Sequence, residues 1–383
     1  MEETESYNLE MEKIKSNPHN YIMDWMEGNL IHVGRRAFKL IALQPCSLIL
    51  PDIISGINIR STFNIFYVSS PSSGKTTLCN KYESITFSPF VVKNISSAQI
   101  TERIENFIKT EGLFSLIIDD FSQLVENSGG YDKVKILEQV LGDDRRLVKE
   151  NMRMRVDIKT RGIALLCGTW TDFSKYLEFF RSGLLFRSAL LFINFTPTQR
   201  RDIINNINNH IGDESNHRES LMKEKIVKDY YEILSKIQSG ENNEIPTIKG
   251  YFFSESIKDS IKKTFNQITE IVPDYLEHEF NREFHDAYRF LISSAFLNVF
   301  KRKVENGILY PNEEDLKLAK HLMVNNMNYK LGILTSKMVL SVKRSLEKLN
   351  DVLKSEMPTT TKKILYNLAA AQGYPLPPQI DYS

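Results

Sequence analysis

The sequence predicts an α/β protein: a parallel sheet covered by helices, followed by an all-helical region. Three observations predict it. Short apolar runs between residues 64 and 195 alternate with helix-like stretches, the rhythm of βαβ units. The run from Leu113 to Asp119 is apolar almost throughout, as a strand buried on both faces must be. After Pro197 the strand signals stop, and apolar residues recur at helical spacing.

In chain order, Val33 to Leu43 is helix-like, and Pro45 and Pro51 bracket an apolar stretch. Asn64 to Val68 is the first expected strand, and Thr76 to Tyr82 continues as a helix. Phe90 to Val92 is the second strand, and Ser97 is placed to cap a helix from Gln99 to Thr110. Leu113 to Asp119, Ile163 to Cys167 and Ala189 to Phe195 complete the strands. Helices are expected over Gln199 to His210, Leu221 to Gln238, Ile257 to Ile271 and, as one long amphipathic element, Glu279 to Val304. Asn312 caps another from Glu313 to about Asn326, and Ser336 to Glu356 and Thr361 to Ala371 close the chain. The expected divisions are an N-terminal accessory segment (1–60), an α/β core (61–198), a helical region (199–330) and a C-terminal helical extension (331–383).

The composition is that of a globular protein, 42% hydrophobic and 25% charged over 383 residues. A formal net charge of +1 excludes a polycationic nucleic-acid coat, so partners must be read from where charge sits. Cys46, Cys79 and Cys167 are far apart without paired spacing, which fits buried thiols in a reducing compartment rather than disulfides or zinc. No Cys/His cluster occurs, and no structural metal is expected. No apolar run approaches the ~20 residues of a membrane span, and the acidic Met1-Glu2-Glu3 start is not a signal peptide. A cytoplasmic protein without a membrane partner is expected.

The chemistry concentrates at strand ends. Ser69-Ser70-Pro71-Ser72-Ser73-Gly74-Lys75-Thr76-Thr77 follows the first strand and opens a helix. The pattern GxxxxGK[ST] wraps phosphates in backbone N–H groups, with the Lys on the β/γ-phosphates and the Ser/Thr hydroxyl on Mg²⁺. Lys75 and Thr76 take those places, Gly74 permits close approach, and Ser69 stands where the pattern has its first Gly. ATP and Mg²⁺ are therefore the expected cofactors. Phe114 to Asp120 is an apolar strand ending in two acids; Asp119 would hold Mg²⁺ through its water shell and Asp120 would polarise the attacking water. The strand ending Leu165-Leu166-Cys167-Gly168-Thr169 places Thr169 to help position that water.

Then come Ser182-Gly183-Leu184-Leu185-Phe186-Arg187-Ser188 and Pro197-Thr198-Gln199-Arg200-Arg201. In order and spacing these segments resemble those of AAA+ ATPases: Walker A, Walker B, sensor 1, an arginine-finger segment and a Pro-containing entry to helical lid elements. The likeness is greatest to the minichromosome-maintenance helicase group, whose Leu-Leu-Ser-Arg-Phe box is similar to Leu184 to Arg187. Asn281 to Leu291 resembles that group's sensor-2 helix, and Asn312 to Ala319 resembles a later helix start. The resemblance implies a ring-forming oligomer, possible as a hexamer, with Arg187 as the arginine finger, Arg282 as sensor 2, and residues 199–330 as the lid.

Between the second and third motif lies Arg145 to Arg161, with seven basic residues against two acidic ones. In related helicases this interval holds a hairpin projecting into the ring channel, which makes Arg153, Arg155 and Lys159 candidates for phosphate contact with DNA. The expectation is an ATPase that remodels or translocates on nucleic acid, a helicase-like motor in DNA replication or maintenance. The alternative is an ATP-gated switch or scaffold acting on a protein partner with slow or absent hydrolysis; Ser69 for Gly and Asp120 for the more usual Glu lean that way.

Overall fold

The computed structural model describes residues 2–28, 35–55, 57–71, 73–92, 96–126, 130–142, 146–151, 154–169, 188–193, 195–210, 214–242, 244–270 and 280–341. Helices α1 (Glu2–Ser16), α2 (Pro18–Glu27) and α3 (Arg35–Ile49) precede a small hairpin, β1 (Ile53–Ser55) and β2 (Ile57–Ile59). The α/β part follows: β3 (Asn64–Ser69), α4 (Lys75–Ile85), β4 (Pro89–Val91), α5 (Ser97–Glu111) and β5 (Phe114–Ile118). It continues with α6 (Phe121–Glu126), α7 (Gly130–Leu141), the hairpin β6 (Arg146–Asn151) and β7 (Met154–Lys159), then β8 (Gly162–Thr169) and β9 (Ser188–Ile193). Beyond it lie α8 (Pro197–His210), α9 (Glu214–Ser239), β10 (Gly250–Tyr251), α10 (Glu255–Thr269), α11 (Asn281–Leu297), β11 (Lys303–Glu305), β12 (Ile308–Tyr310) and α12 (Glu313–Ser341).

The main sheet has five parallel strands in the order β4-β5-β8-β3-β9. All its strands are parallel, so their carboxyl ends share one edge. Alternate residues of each strand enter two cores, as the two-residue period requires. Ile65, Tyr67, Ile117, Leu165 and Cys167 pack toward one, with α1 to α4, α9, α11 and α12. Phe66, Val68, Leu116, Ile118 and Leu166 pack toward the other, with α5 to α7. The first core takes residues from 1–60, from the sheet and from 199–330, so one continuous apolar interior joins all three stretches. Among the described residues, no helix is long and apolar enough to cross a membrane.

Several local expectations are corrected. The cap of α5 is Ser96, not Ser97. Its hydroxyl accepts from Gln99 N while Gln99 Oε1 accepts from Ser96 N, a reciprocal box that needs Gln99 three residues after the cap. Helix α3 does not stop at Leu43 but passes through Pro45 to Ile49. Burial of Phe38, Ile41, Leu43, Cys46 and Leu48 against the sheet offsets the hydrogen bond that a proline removes. Strands do not end at Pro197: β10, β12 and β11 form a small sheet in that order. The expected helix from Glu279 to Val304 therefore ends at Leu297 and gives way to a hairpin. Its turn is Asn306-Gly307, both at positive φ (53° and 78°), the conformation a tight two-residue hairpin favours. A Cβ at Gly307 would lie 2.7 Å from the Thr247 carbonyl, so glycine is also required by close approach. Asn312 caps α12 as expected, accepting from Glu314 N and Asp315 N, and that helix runs on to Ser341.

A buried polar network ties α11 and α12 to the edge of the main sheet. Lys330 and Glu283 form an ion pair with no exposed surface. Asn326 Nδ2 donates to Glu283 Oε2, and Asn326 Oδ1 accepts from the backbone N of Leu190, 2.9 Å away in β9. A strand edge left open by the sheet order is thus met by a side chain rather than another strand.

Candidate nucleotide site

Strand β3 is buried along its whole length and delivers Ser69 to the carboxyl edge of the sheet. The chain then turns through 70–74, and α4 starts at Lys75. Its N-cap, Gly74, has φ 77°, a left-handed conformation open to glycine, and no side chain caps the helix. Backbone N–H groups of the first turn are thereby left to meet an anion, which the helix dipole favours.

Ser69, the residue standing for the pattern's first glycine, has a specific contact. Its Oγ lies 2.5 Å from Ser73 Oγ, clasping the loop across its mouth. Lys75 Nζ donates to Ser70 O at 3.1 Å, so the ammonium folds back over the loop. Among the described residues, the buried Ser70 hydroxyl has no hydrogen-bond partner, a cost a bound phosphate oxygen would relieve. Pro71, Thr76 and Thr77 are exposed, while Ser73 is buried; Ser72 lies outside the described residues.

The acids arrive from β5. Asp119 and Asp120 are half-buried and directly follow the strand. Asp120 Oδ1 accepts from Ser122 N at 3.1 Å and from Ser122 Oγ at 2.6 Å. The carboxylate therefore also caps the start of α6, and Ser122 is a positioning partner that sequence reasoning missed. The acid followed two residues later by Ser at a helix start was the available signal. Thr169 ends β8 and is paired in register with Ser69 across the sheet. Phe66, Leu166 and Ile118 form one row across β3, β8 and β5, so loop, threonine and acids leave the same edge.

Charges from two of these segments act on one buried thiol. The Cys167 thiol, inside β8, is pushed well above the usual range by its hydrogen bond to Cys79 and by burial; Lys75 pulls it down and Asp119 pushes it up. One sulfur therefore feels both the loop's cation and the acid expected to hold Mg²⁺. Helix α4 is itself anchored at its far side. Lys81 Nζ donates to Trp25 O at 2.6 Å and sits over the Trp25 ring, and burial lowers its pKa to about 8.

No family model matches the chain, and no curated protein matches it. The site must be judged on its own geometry. The structure brings Ser69, Ser70, Ser73, Gly74, Lys75, Asp119, Asp120 and Thr169 to one edge. Arg187 and Arg153 lie outside the described residues. Arg155 is in β7 opposite Glu150, and Lys159 is exposed near the hairpin's base, opposite Arg146. The hairpin expected between the acids and Thr169 is present as β6 and β7. Arg161, the last basic residue of that run, turns inward: its Nε donates to Leu48 O at 2.6 Å and its guanidinium also meets Leu50 O and Ser61. Arg282 is half-buried in the first turn of α11, whose packing partners include α3, α10 and α12.

Proposed function

We propose that the chain is an ATP-binding and hydrolysing AAA+ protein that works as a ring and acts on nucleic acid. The single observation carrying this is the convergence of an uncapped, glycine-started helix, Lys75, Asp119 and Thr169 at the carboxyl edge of a parallel sheet. That edge is where α/β sheets place their ligands. Backbone N–H groups of the loop, Lys75 and the Ser70 hydroxyl would hold the phosphates. The Thr76 hydroxyl and Asp119 would hold Mg²⁺, which would supply positive charge to offset that of the triphosphate. Asp120 orients the attacking water, with Thr169 beside it. Residues 199–330 act as the lid, Arg282 as sensor 2, and Arg187 as a finger reaching the neighbouring subunit's site.

The roles of the two acids separate in mutants. Asp120→Asn keeps the Ser122 bonds, since an amide oxygen still accepts, but loses the charge that orients water. It is expected to bind MgATP and not turn it over. Asp119→Asn is expected to weaken the Mg²⁺ dependence of binding as well. Phosphate release and nucleotide binding, measured together on both variants, check the assignment. Normal turnover in Asp120→Asn would place the lytic carboxylate elsewhere.

The basic hairpin supports nucleic acid as the partner. Replacing Arg153, Arg155 and Lys159 by Ala is expected to weaken DNA binding and flatten its salt dependence, because fewer counterions are released. ATPase activity without DNA should be retained. Unchanged affinity and salt slope would remove the hairpin from the DNA interface.

One observation favours the second reading, an ATP-gated switch acting on a protein partner. Asp120 already uses Oδ1 to cap α6, which restrains the carboxylate and suits slow hydrolysis. Single-turnover rates of the wild type with and without DNA distinguish motor from switch: a motor is accelerated by DNA, a switch is not.

A further inference from the structure

Directly under the phosphate loop, two thiols face each other. Cys79 lies on α4, four residues after Lys75 and so one turn along the same side of the helix. Cys167 lies on β8, two residues before Thr169. Their sulfurs are 3.5 Å apart, and both cysteines are free. Cys79 is 4% exposed and Cys167 0%. In sequence the two are 88 residues apart, which hid the pair; the parallel arrangement of β3 and β8 creates it.

We propose that Cys79 and Cys167 are a reversible oxidation site whose disulfide disables the phosphate loop. A disulfide needs its sulfurs at about 2.05 Å, so the pair must close by roughly 1.5 Å from its present 3.5 Å separation. Interiors packed like crystals do not absorb such a shift locally. It passes either to α4, whose first turn carries Lys75 and Thr76, or to the end of β8, which carries Thr169. Either displacement spoils the match between loop, acids and triphosphate.

The chemistry balances with a peroxide as oxidant. The Cys79 sulfur, the more exposed, attacks one peroxide oxygen; the O–O bond breaks, leaving a sulfenic acid and one water. The Cys167 sulfur then displaces the sulfenic oxygen as the second water, forming the S–S bond. Two thiols are oxidised by two electrons and one hydrogen peroxide is reduced to two waters. A dithiol reverses the bond by exchange. The hydrogen bond with Cys79 and burial both favour the protonated Cys167 thiol, so the reaction is slow. Because coupling is reciprocal, bound nucleotide should disfavour the disulfide at equilibrium by the same factor by which the disulfide weakens nucleotide binding. The effect on nucleotide rests on the phosphate-loop reading; the disulfide does not.

The full-length chain is reduced, treated with hydrogen peroxide, and mapped by mass spectrometry without reductant. MgATP affinity and hydrogen exchange over residues 70–79 are measured before oxidation, after it, and after dithiothreitol. The expected result is a linked 79–167 peptide, altered exchange in the loop, and at least a tenfold loss of MgATP affinity that dithiothreitol restores. Cys79→Ala and Cys167→Ala should each bind MgATP and lose the peroxide response, while Cys46→Ala keeps it. Over-oxidised single cysteines without the linked peptide would overturn the proposal. So would a linked peptide with unchanged loop exchange and unchanged affinity. If the reduced protein binds no MgATP, the nucleotide reading fails on its own, and the linked peptide with altered loop exchange still decides the oxidation site.

Discussion

Arg187→Ala is expected to bind MgATP as the wild type does and to hydrolyse it about 10³–10⁵-fold more slowly, the usual contribution of an arginine finger. Ser188, the next residue in the chain, pairs with Asn64 at the amino-terminal end of β3, whereas the loop leading to α4 leaves the other end at Ser69. Those positions are five strand steps apart, roughly 17 Å at ~3.3 Å per residue. Ser188 is thus on the far edge of the sheet from the loop that leaves Ser69. Under the proposed ring, Arg187 would serve a neighbouring subunit's site, where its charge would stabilise the transferring phosphoryl group. Lys75→Ala fails for a different reason, loss of bound nucleotide. Mixing the two inactive variants should restore part of the activity, because the Lys75→Ala subunit lends its Arg187 to a neighbour that holds ATP. Phosphate release from mixed oligomers reads this out; no recovery in oligomers shown to have exchanged subunits would mean that Arg187 acts in cis or not at all.

Lys330→Met is expected to destabilise the protein by about 3–5 kcal/mol, the cost of leaving a buried charge without its partner. Glu283 and Lys330 are both fully buried, and Asn326 is held between Glu283 and the edge strand β9. Replacing Glu283 and Lys330 together by Met removes both charges and leaves only the Asn326 amide without its acceptor, so the double variant should lose less stability than Lys330→Met alone. Denaturant unfolding of the two variants and the wild type checks both expectations. Similar losses in single and double variants would show that packing, not charge, dominates there. The pair also has a pH signature. Burial pushes the Glu283 carboxyl up to about 7, with Lys330 pulling it down. A carboxyl raised in the folded state contributes stability that is fully present below the ordinary glutamate value and is lost as pH rises toward about 7. Glu283→Gln should flatten that part of the stability–pH curve.

What the sequence made legible follows from how local each signal is. The five main strands and the loop from Ser69 to Thr76 were readable because apolar runs and a glycine-lysine-threonine helix start are local patterns. The sheet edge that unites Ser69, Asp119 and Thr169 followed from parallel connectivity. The Asn306-Gly307 hairpin was also written in the sequence, but the helical periodicity of the preceding residues masked it. The N-terminal helices were hard to read for a physical reason. Their burial is against α9 and the sheet, distant in sequence, and α1 is only weakly amphipathic by itself. Three features had no sequence signal: the Ser69–Ser73 clasp, the inward turn of Arg161, and the meeting of Cys79 with Cys167. Each depends on which elements become neighbours, not on the residues flanking it.

The central claim is that the edge built from Ser69 to Thr76, Asp119 and Asp120 binds a nucleoside triphosphate with magnesium. Isothermal titration of MgATP into the wild type and into Lys75→Ala tests it most directly. Saturable, magnesium-dependent binding to the wild type is expected, weakened about 10–150-fold in Lys75→Ala, the equivalent of the 1.5–3 kcal/mol carried by a hydrogen bond to a charged group. No binding to the wild type, or equal binding to both proteins, would contradict it.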